Sequence, residues 1–183
     1  VLENCGFAKN VFQAEEKEGS IILLPTIYKN IALYGFPGKK SGLEVFDIPR
    51  IKIQDSPGLF KILMLHTTLR DAIGSLPIPA VDHRILPKAD YIAIGHLHLK
   101  YENQNIIYAG PTFPNNSSEI EDLKFGSFYL VSTNGKIERH EIKIKDVLVL
   151  DIEITDALTA TDLLIEELKK HILKDKILIL KVK

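Results

Sequence analysis

A single cysteine, Cys5, stands in 183 residues, so no intramolecular disulfide can form and the chain fits a reducing, intracellular compartment. No apolar run approaches the roughly 20 residues that a membrane-spanning helix needs, and no secretory leader is visible. Neither sign of charge dominates: the formal net charge is -1 and the pI is near 6.7. Whole-chain charge therefore neither demands nor excludes a polyanionic partner, and binding one would take a local basic patch or metal ions. Internal repeats and low-complexity tracts are also missing. What is present is ordinary globular material, 45% hydrophobic and 26% charged, enough to bury a sizeable core. One methionine, few glutamines and many isoleucines, leucines and lysines lean towards a thermophile. The first residue is Val1 rather than methionine, which suggests a piece of a longer chain.

Apolar runs bounded by turn residues predict strands at Ile21–Pro25, Ile31–Phe36, Phe60–His66, Asp90–Gly95 and Asn105–Ala109, with turns around Tyr28–Asn30 and at Pro37-Gly38-Lys39-Lys40. Residues 1–9 read as the tail of a helix interrupted by Gly6. Leu43–Ile53 reads as an edge strand, since Pro49 cannot serve a central one. Thr67–Pro87 is broken by Gly74, Pro77 and Pro79 and reads as a long surface loop with a helical turn near Leu69–Ile73. Pro111–Leu123 reads as a second polar loop. Strands at Ser127–Ser132 and Lys136–Ile144 follow, joined through Thr133-Asn134-Gly135. The pattern then changes to strand Val147–Ile154, amphipathic helix Thr159–Leu173 and strand Lys176–Val182. Thr159 and Asp162 suggest a capping box. This β-α-β unit is too small to bury a core of its own.

The chemistry concentrates where two apolar strands end in histidine. Phe60–Leu65 runs into His66, and Tyr91–Ile94 runs into Gly95-His96-Leu97-His98. In an extended chain residues i and i+2 project to one side, so His96 and His98 are expected to face a common cavity. Imidazole suits manganese, iron, zinc, cobalt and nickel. A lone histidine in an apolar setting is more often a hydrogen-bonded core residue, but two strands delivering histidine at their exits point to one shared cation site. His83, His140 and His171 carry no such spacing and read as structural. Arg70 and Arg84 after His66, and Asn115, Asn116, Ser117 and Ser118 in the second loop, are candidate contacts to a phosphate backbone. The plainer reading of each is solvated surface loop.

Phe60-Lys61-Ile62-Leu63-Met64-Leu65-His66 followed by Ile94-Gly95-His96-Leu97-His98 resembles the last two metal-binding motifs of the calcineurin-like metallophosphoesterase superfamily. Ile107-Tyr108-Ala109-Gly110-Pro111-Thr112, Phe125–Val131 and the β-α-β from Val147 resemble its DNA double-strand-break repair nucleases. The resemblance runs from about Ile21 onward. It implies an α/β (α+β) fold: the C-terminal half of a four-layer αββα sandwich over residues 1–145, and the start of a DNA-capping domain over 146–183. It further implies two manganese ions, with His66 and His96 on one and His98 on the other, activating water for in-line attack on a phosphodiester. The implied partners are DNA and an ABC-type coiled-coil ATPase, in a homodimer with no membrane association, at the nucleoid of a prokaryotic, archaeal cytoplasm.

Two departures matter. The family's earlier motifs Asp-x-His, Gly-Asp and Gly-Asn-His are absent, and so are their bridging carboxylate and catalytic histidine. Three neutral imidazoles cannot bridge or neutralise two dications. His66 is followed by Thr67-Thr68 where many relatives have Gln-Gly. These 183 residues alone are therefore expected to be inactive. A generic phosphodiesterase on the same fold, which should lack the cap, and a non-catalytic DNA-binding or scaffold module are the alternatives.

Overall fold

The computed structural model describes residues 2–183. In chain order it contains β1 (Ala14–Lys17), β2 (Ser20–Leu23), β3 (Thr26–Tyr28), β4 (Ile31–Phe36), β5 (Ile51–Ile53), β6 (Phe60–His66), α1 (Arg70–Ile73), β7 (Tyr91–Gly95), β8 (Tyr101–Asn103) and β9 (Ile106–Tyr108). There follow α2 (Ser117–Leu123), β10 (Gly126–Val131), β11 (Ile137–Ile142), β12 (Asp146–Ile152), α3 (Ala160–Lys169) and β13 (Lys176–Val182). The class is mixed α/β with several sheets and few helices. Two compact units emerge: residues up to Gly110 with Tyr129–Arg139, and Pro111–Phe128 with His140–Lys183. The expected boundary at residue 145 falls inside the second of them.

The first unit is built on a six-stranded sheet of order β3-β4-β6-β7-β9-β8, in which β4, β6, β7 and β9 run parallel. Short antiparallel strands β3 and β8 close its edges. Alternate residues of the parallel strands face one core: Ala32, Tyr34 and Phe36, then Leu63 and Leu65, Ile92 and Ile94, Ile106 and Tyr108. Period-2 alternation in a sheet makes this set contiguous. Tyr34 is fully buried because its hydroxyl is satisfied, donating to the Gln54 carbonyl at 2.6 Å beside Ser56 Oγ at 2.9 Å. On the second face Leu33, Ile62, Met64 and Ala93 are only half-buried. Parallel sheets are ordinarily covered on both faces.

Several expectations are corrected. Leu43–Ile53 is not one edge strand but two 3₁₀ turns, Lys40–Phe46 and Ile48–Arg50, followed by the short β5 on the edge of a β1-β2-β5 sheet. Val45, Ile48 and Ile51 are buried at a spacing of three, which is the 3₁₀ period. Residues 2–7 form turns rather than a helix tail, with Phe7 N–H donating to the Leu2 carbonyl at 3.0 Å; Val1, also in that expectation, lies outside the described residues. The Thr67–Pro87 segment is less superficial than expected. Thr67, Thr68, Leu69, Ile73 and Val81 are buried, and Leu69 bridges Val81.

In the second unit β12 and β13 pair in parallel along seven residues, Asp146↔Lys176 to Ile152↔Val182, with α3 as the crossover. The Thr159 capping box does not form. Thr159 has near-helical φ/ψ and its hydroxyl donates to the Asp156 carbonyl, so no side-chain oxygen meets the helix N–H groups. The expected loop Pro111–Leu123 contains α2. Asn116 caps it by accepting from Glu119 N–H at 2.9 Å, while Asn116 Nδ2 donates back to Glu119 Oε1 at 2.8 Å. Among the described residues no helix is long and apolar enough to cross a membrane.

Candidate functional site

Parallel strands deliver their carboxyl ends to one edge of the sheet, and ligand crevices in such sheets open outside those ends. Here the register pairs Phe36 with Leu65, Leu65 with Ile94, and His66 with Gly95. The turn after β4, the last residue of β6 and the first residue after β7 therefore meet. They border an open cleft of about 890 Å³, lined among others by Gly38, Lys39, Thr68 and Pro79 together with His66 and His96.

The two histidines face each other. His66 Nε2 and His96 Nδ1 are 3.2 Å apart, with rings nearly perpendicular at 80° and centroids 5.1 Å apart. Which nitrogen donates depends on the tautomers. Both side chains are exposed to the cleft. His66 is held between two glycines: an added Cβ at Gly38 would stand 2.6 Å from its Cδ2, and one at Gly95 would stand 3.2 Å from its Nδ1. These glycines are required by close approach of the ring.

The expected extension through Leu97 does not occur. Strand β7 stops at Gly95 and His96 takes a φ of +105°. That conformation is rare for a side chain with a Cβ and ends the alternation that would have set His98 beside His96. Among the described residues no three His, Cys, Asp or Glu side chains are grouped closely enough to hold a metal ion. The structure thus brings together His66 and His96, and among the described residues no third ligand-type side chain completes a group with them.

The fit to a metal pair is correspondingly incomplete. Two nitrogens each about 2.1 Å from one ion would sit roughly 3.0–3.4 Å apart at octahedral to tetrahedral angles, and the observed 3.2 Å lies in that range. The same separation is a direct N–H···N hydrogen bond. With no carboxylate beside them among the described residues, the two imidazoles are at most half of one ion's donor set, and the residues present do not make a dimetal site.

The remaining candidates have structural partners. Arg70 Nη1 reaches the Leu76 carbonyl at 3.4 Å. The Arg84 guanidinium forks onto Asp82, with Nε 2.9 Å from Oδ1, and holds that carboxyl well below the usual carboxylate range. Asn116 caps α2, and Asn115 N–H donates to Glu119 Oε2 at 2.8 Å. His83 binds Asp71, His140 stacks on Phe128 with centroids 5.2 Å apart, and His171 meets Glu167 at 3.3 Å.

The turn at Pro37-Gly38-Lys39-Lys40 after β4 was expected, but its place against His66 and the buried polar floor were not. Tyr108 is fully buried; its hydroxyl donates to the Thr67 carbonyl at 2.7 Å and accepts from Leu69 N–H at 3.0 Å. Burial above all pushes its phenol up, against the opposing hydrogen bond from Leu69 N–H. The Pro37-Gly38 pair directly after a buried strand was the signal for the turn. Glu44, in an apparent edge strand, gave none.

No family model matches the sequence. Over 100 residues the chain is 37% identical to the DNA double-strand break repair protein Mre11 of Methanocaldococcus jannaschii, a match covering 51% of this chain and 25% of that protein. The chain thus spans about a quarter of the curated relative it matches, and this partial similarity supports an Mre11-like region.

Proposed function

We propose that this chain is part of a manganese-dependent DNA nuclease acting in double-strand-break repair by phosphodiester hydrolysis. The observation that carries the reading is the His66–His96 pair at the carboxyl ends of two adjacent parallel strands, ring nitrogens 3.2 Å apart over an open cleft. The partial identity to an Mre11 protein supports the same substrate class. His66 and His96 would contribute two nitrogens to one ion of a manganese pair and His98 one to the other, the bridging carboxylate coming from polypeptide outside these 183 residues. The half-buried face bearing Leu33, Ile62, Met64 and Ala93 is where the second sheet of a four-layer sandwich would pack. The β12-α3-β13 unit would open a DNA-capping domain, and the partners would be DNA, an ABC-type coiled-coil ATPase and a second copy of the protein. Arg70, Arg84, Asn115 and Asn116 reach phosphate only by leaving the contacts they hold here.

The test is cleavage of linear double-stranded DNA with Mn²⁺. The 183 residues alone should leave it intact, and a longer polypeptide supplying the missing motifs should cut it. In that longer protein His66→Ala and His96→Ala should each lower the rate at least about 100-fold. Robust cleavage by the 183 residues would overturn the incomplete-site argument. Unchanged cleavage in both variants would overturn the assignment of the histidine pair to the metal site, and no cleavage by the longer polypeptide would overturn the nuclease reading and favour a non-catalytic DNA-binding or scaffold module, which the lack of an acidic donor beside the pair among the described residues also fits.

A further inference from the structure

Glu44 is a buried acid that no motif explains. It is 1% exposed, sits in the 3₁₀ turn beside the cleft, and has no hydrogen-bond partner for Oε1 among the described residues. Burying a carboxylate costs several kcal/mol unless it is compensated, so a role beyond packing is called for. Its other oxygen shows where it acts: Oε2 accepts the Lys39 backbone N–H at 3.0 Å. Lys39 follows Gly38, the residue pressed against the His66 ring and its carbonyl, 2.6 Å and 3.3 Å from the position of an added Cβ. The chain can double back from Lys39 to Glu44 because Ser41 and Gly42 both take left-handed backbone angles, φ 61° and 69°. Lys39 is tied a second time, through its ammonium to Asp47.

We infer that Glu44 is a positioning residue for His66: its carboxylate clamps the Gly38–Lys39 turn onto the imidazole, which fixes the ring with Nε2 turned to His96. The imidazole has three walls. Gly95 lies beneath Nδ1, Gly38 against Cδ2 and Cγ, and His96 in front of Nε2. Gly95 is paired with His66 in the β6–β7 ladder and cannot relax without breaking the sheet, and His96 follows it directly. The Gly38 wall is a turn, and Glu44 holds it. A donor whose orientation is set before an ion arrives binds it more tightly than one that must first be ordered. This inference rests on His66 being a functional donor, yet it is read in the metal-free protein, so its failure and that of the nuclease reading are separable.

The experiment compares wild type with Glu44→Gln, Glu44→Ala and Glu44→Asp by nitrogen-15 NMR of the histidine rings without metal. Glutamine keeps an oxygen at the required reach and should preserve the His66–His96 ring contact and the His66 tautomer. Alanine lacks the acceptor and aspartate falls one methylene short; both should lose the contact and average the His66 ring signals, with the backbone spectrum retained elsewhere. Titration with Mn²⁺ alone should then need roughly tenfold more ion to broaden the His66 signals in Glu44→Ala than in wild type or Glu44→Gln. Unchanged ring signals in Glu44→Ala and Glu44→Asp would overturn the inference. So would a glutamine variant that behaves like alanine, or unfolding of both shortened variants, which would make Glu44 a support of the fold rather than of the ring.

Discussion

The two compact units use parallel strands to opposite effect. In the first, four parallel strands carry a continuous core in which Leu63, Tyr34 and Tyr108 are completely buried. In the second, β12 and β13 pair just as regularly along seven residues, yet no described residue after Ser127 is fully buried. Leu158 is 93% exposed and Ile172 78%. Backbone pairing is therefore not what separates them. A parallel ladder becomes a core when layers cover its side chains, and the short helices α2 and α3 of the second unit do not supply them. The site follows the same division: the histidine pair sits at the end of the ladder that has a core behind it.

The sharpest way to break this contrast is to remove the same side chain from each ladder. Leu63→Ala should cost about 4 kcal/mol in urea unfolding, since the site is closed on every side. Leu150→Ala on half-buried β12 should cost about 1 kcal/mol. Equal losses would mean that the second unit is as well packed as the first. Tyr108→Phe should cost about 2 kcal/mol by stranding the Leu69 N–H and the Thr67 carbonyl. Because burial raises the Tyr108 pKa in the folded state, its contribution is complete below the free tyrosine value near ~10 and is lost as pH climbs past it. Alkaline unfolding should accordingly be shallower in the phenylalanine variant. Gly35→Ala places a Cβ 2.8 Å from Val11 Cγ2, so the segment at residues 10–12 must move. A loss of about 1 kcal/mol is expected, with faster amide exchange confined to that segment. The smallest effect belongs to the second unit: Thr159→Ala should change its melting by less than about 0.5 kcal/mol, where a true N-cap would cost about twice that or more.

Legibility in the sequence also follows burial. Strands β4, β6 and β13 match the expected limits residue for residue, because each is an apolar run bounded by turns or polar residues. Leu43–Ile53 misled because Leu43, Val45, Ile51 and Ile53 alternate on paper, while Val45, Ile48 and Ile51, spaced by three, are the residues that pack. Helix α2 was hidden in a polar stretch whose Asn116-x-x-Glu119 spacing is itself a reciprocal cap, and the same two asparagines were consequently read as candidate DNA contacts. Apolar runs ending in histidine led to His66 and His96, whose rings meet in the structure. The end of the alternation just beyond them was not legible, since it turns on one backbone angle, the φ of +105° at His96, that no side-chain pattern encodes.

The pairing of His66 with Gly95 across the β6–β7 ladder makes the imidazole spacing a gauge of strand alignment. Slipping β6 by a single residue would turn His66 to the opposite side of the sheet and bring Leu65 into its place. Hydrophobic sorting in the interior, which forbids that slip, is thus also what keeps the two rings facing one another.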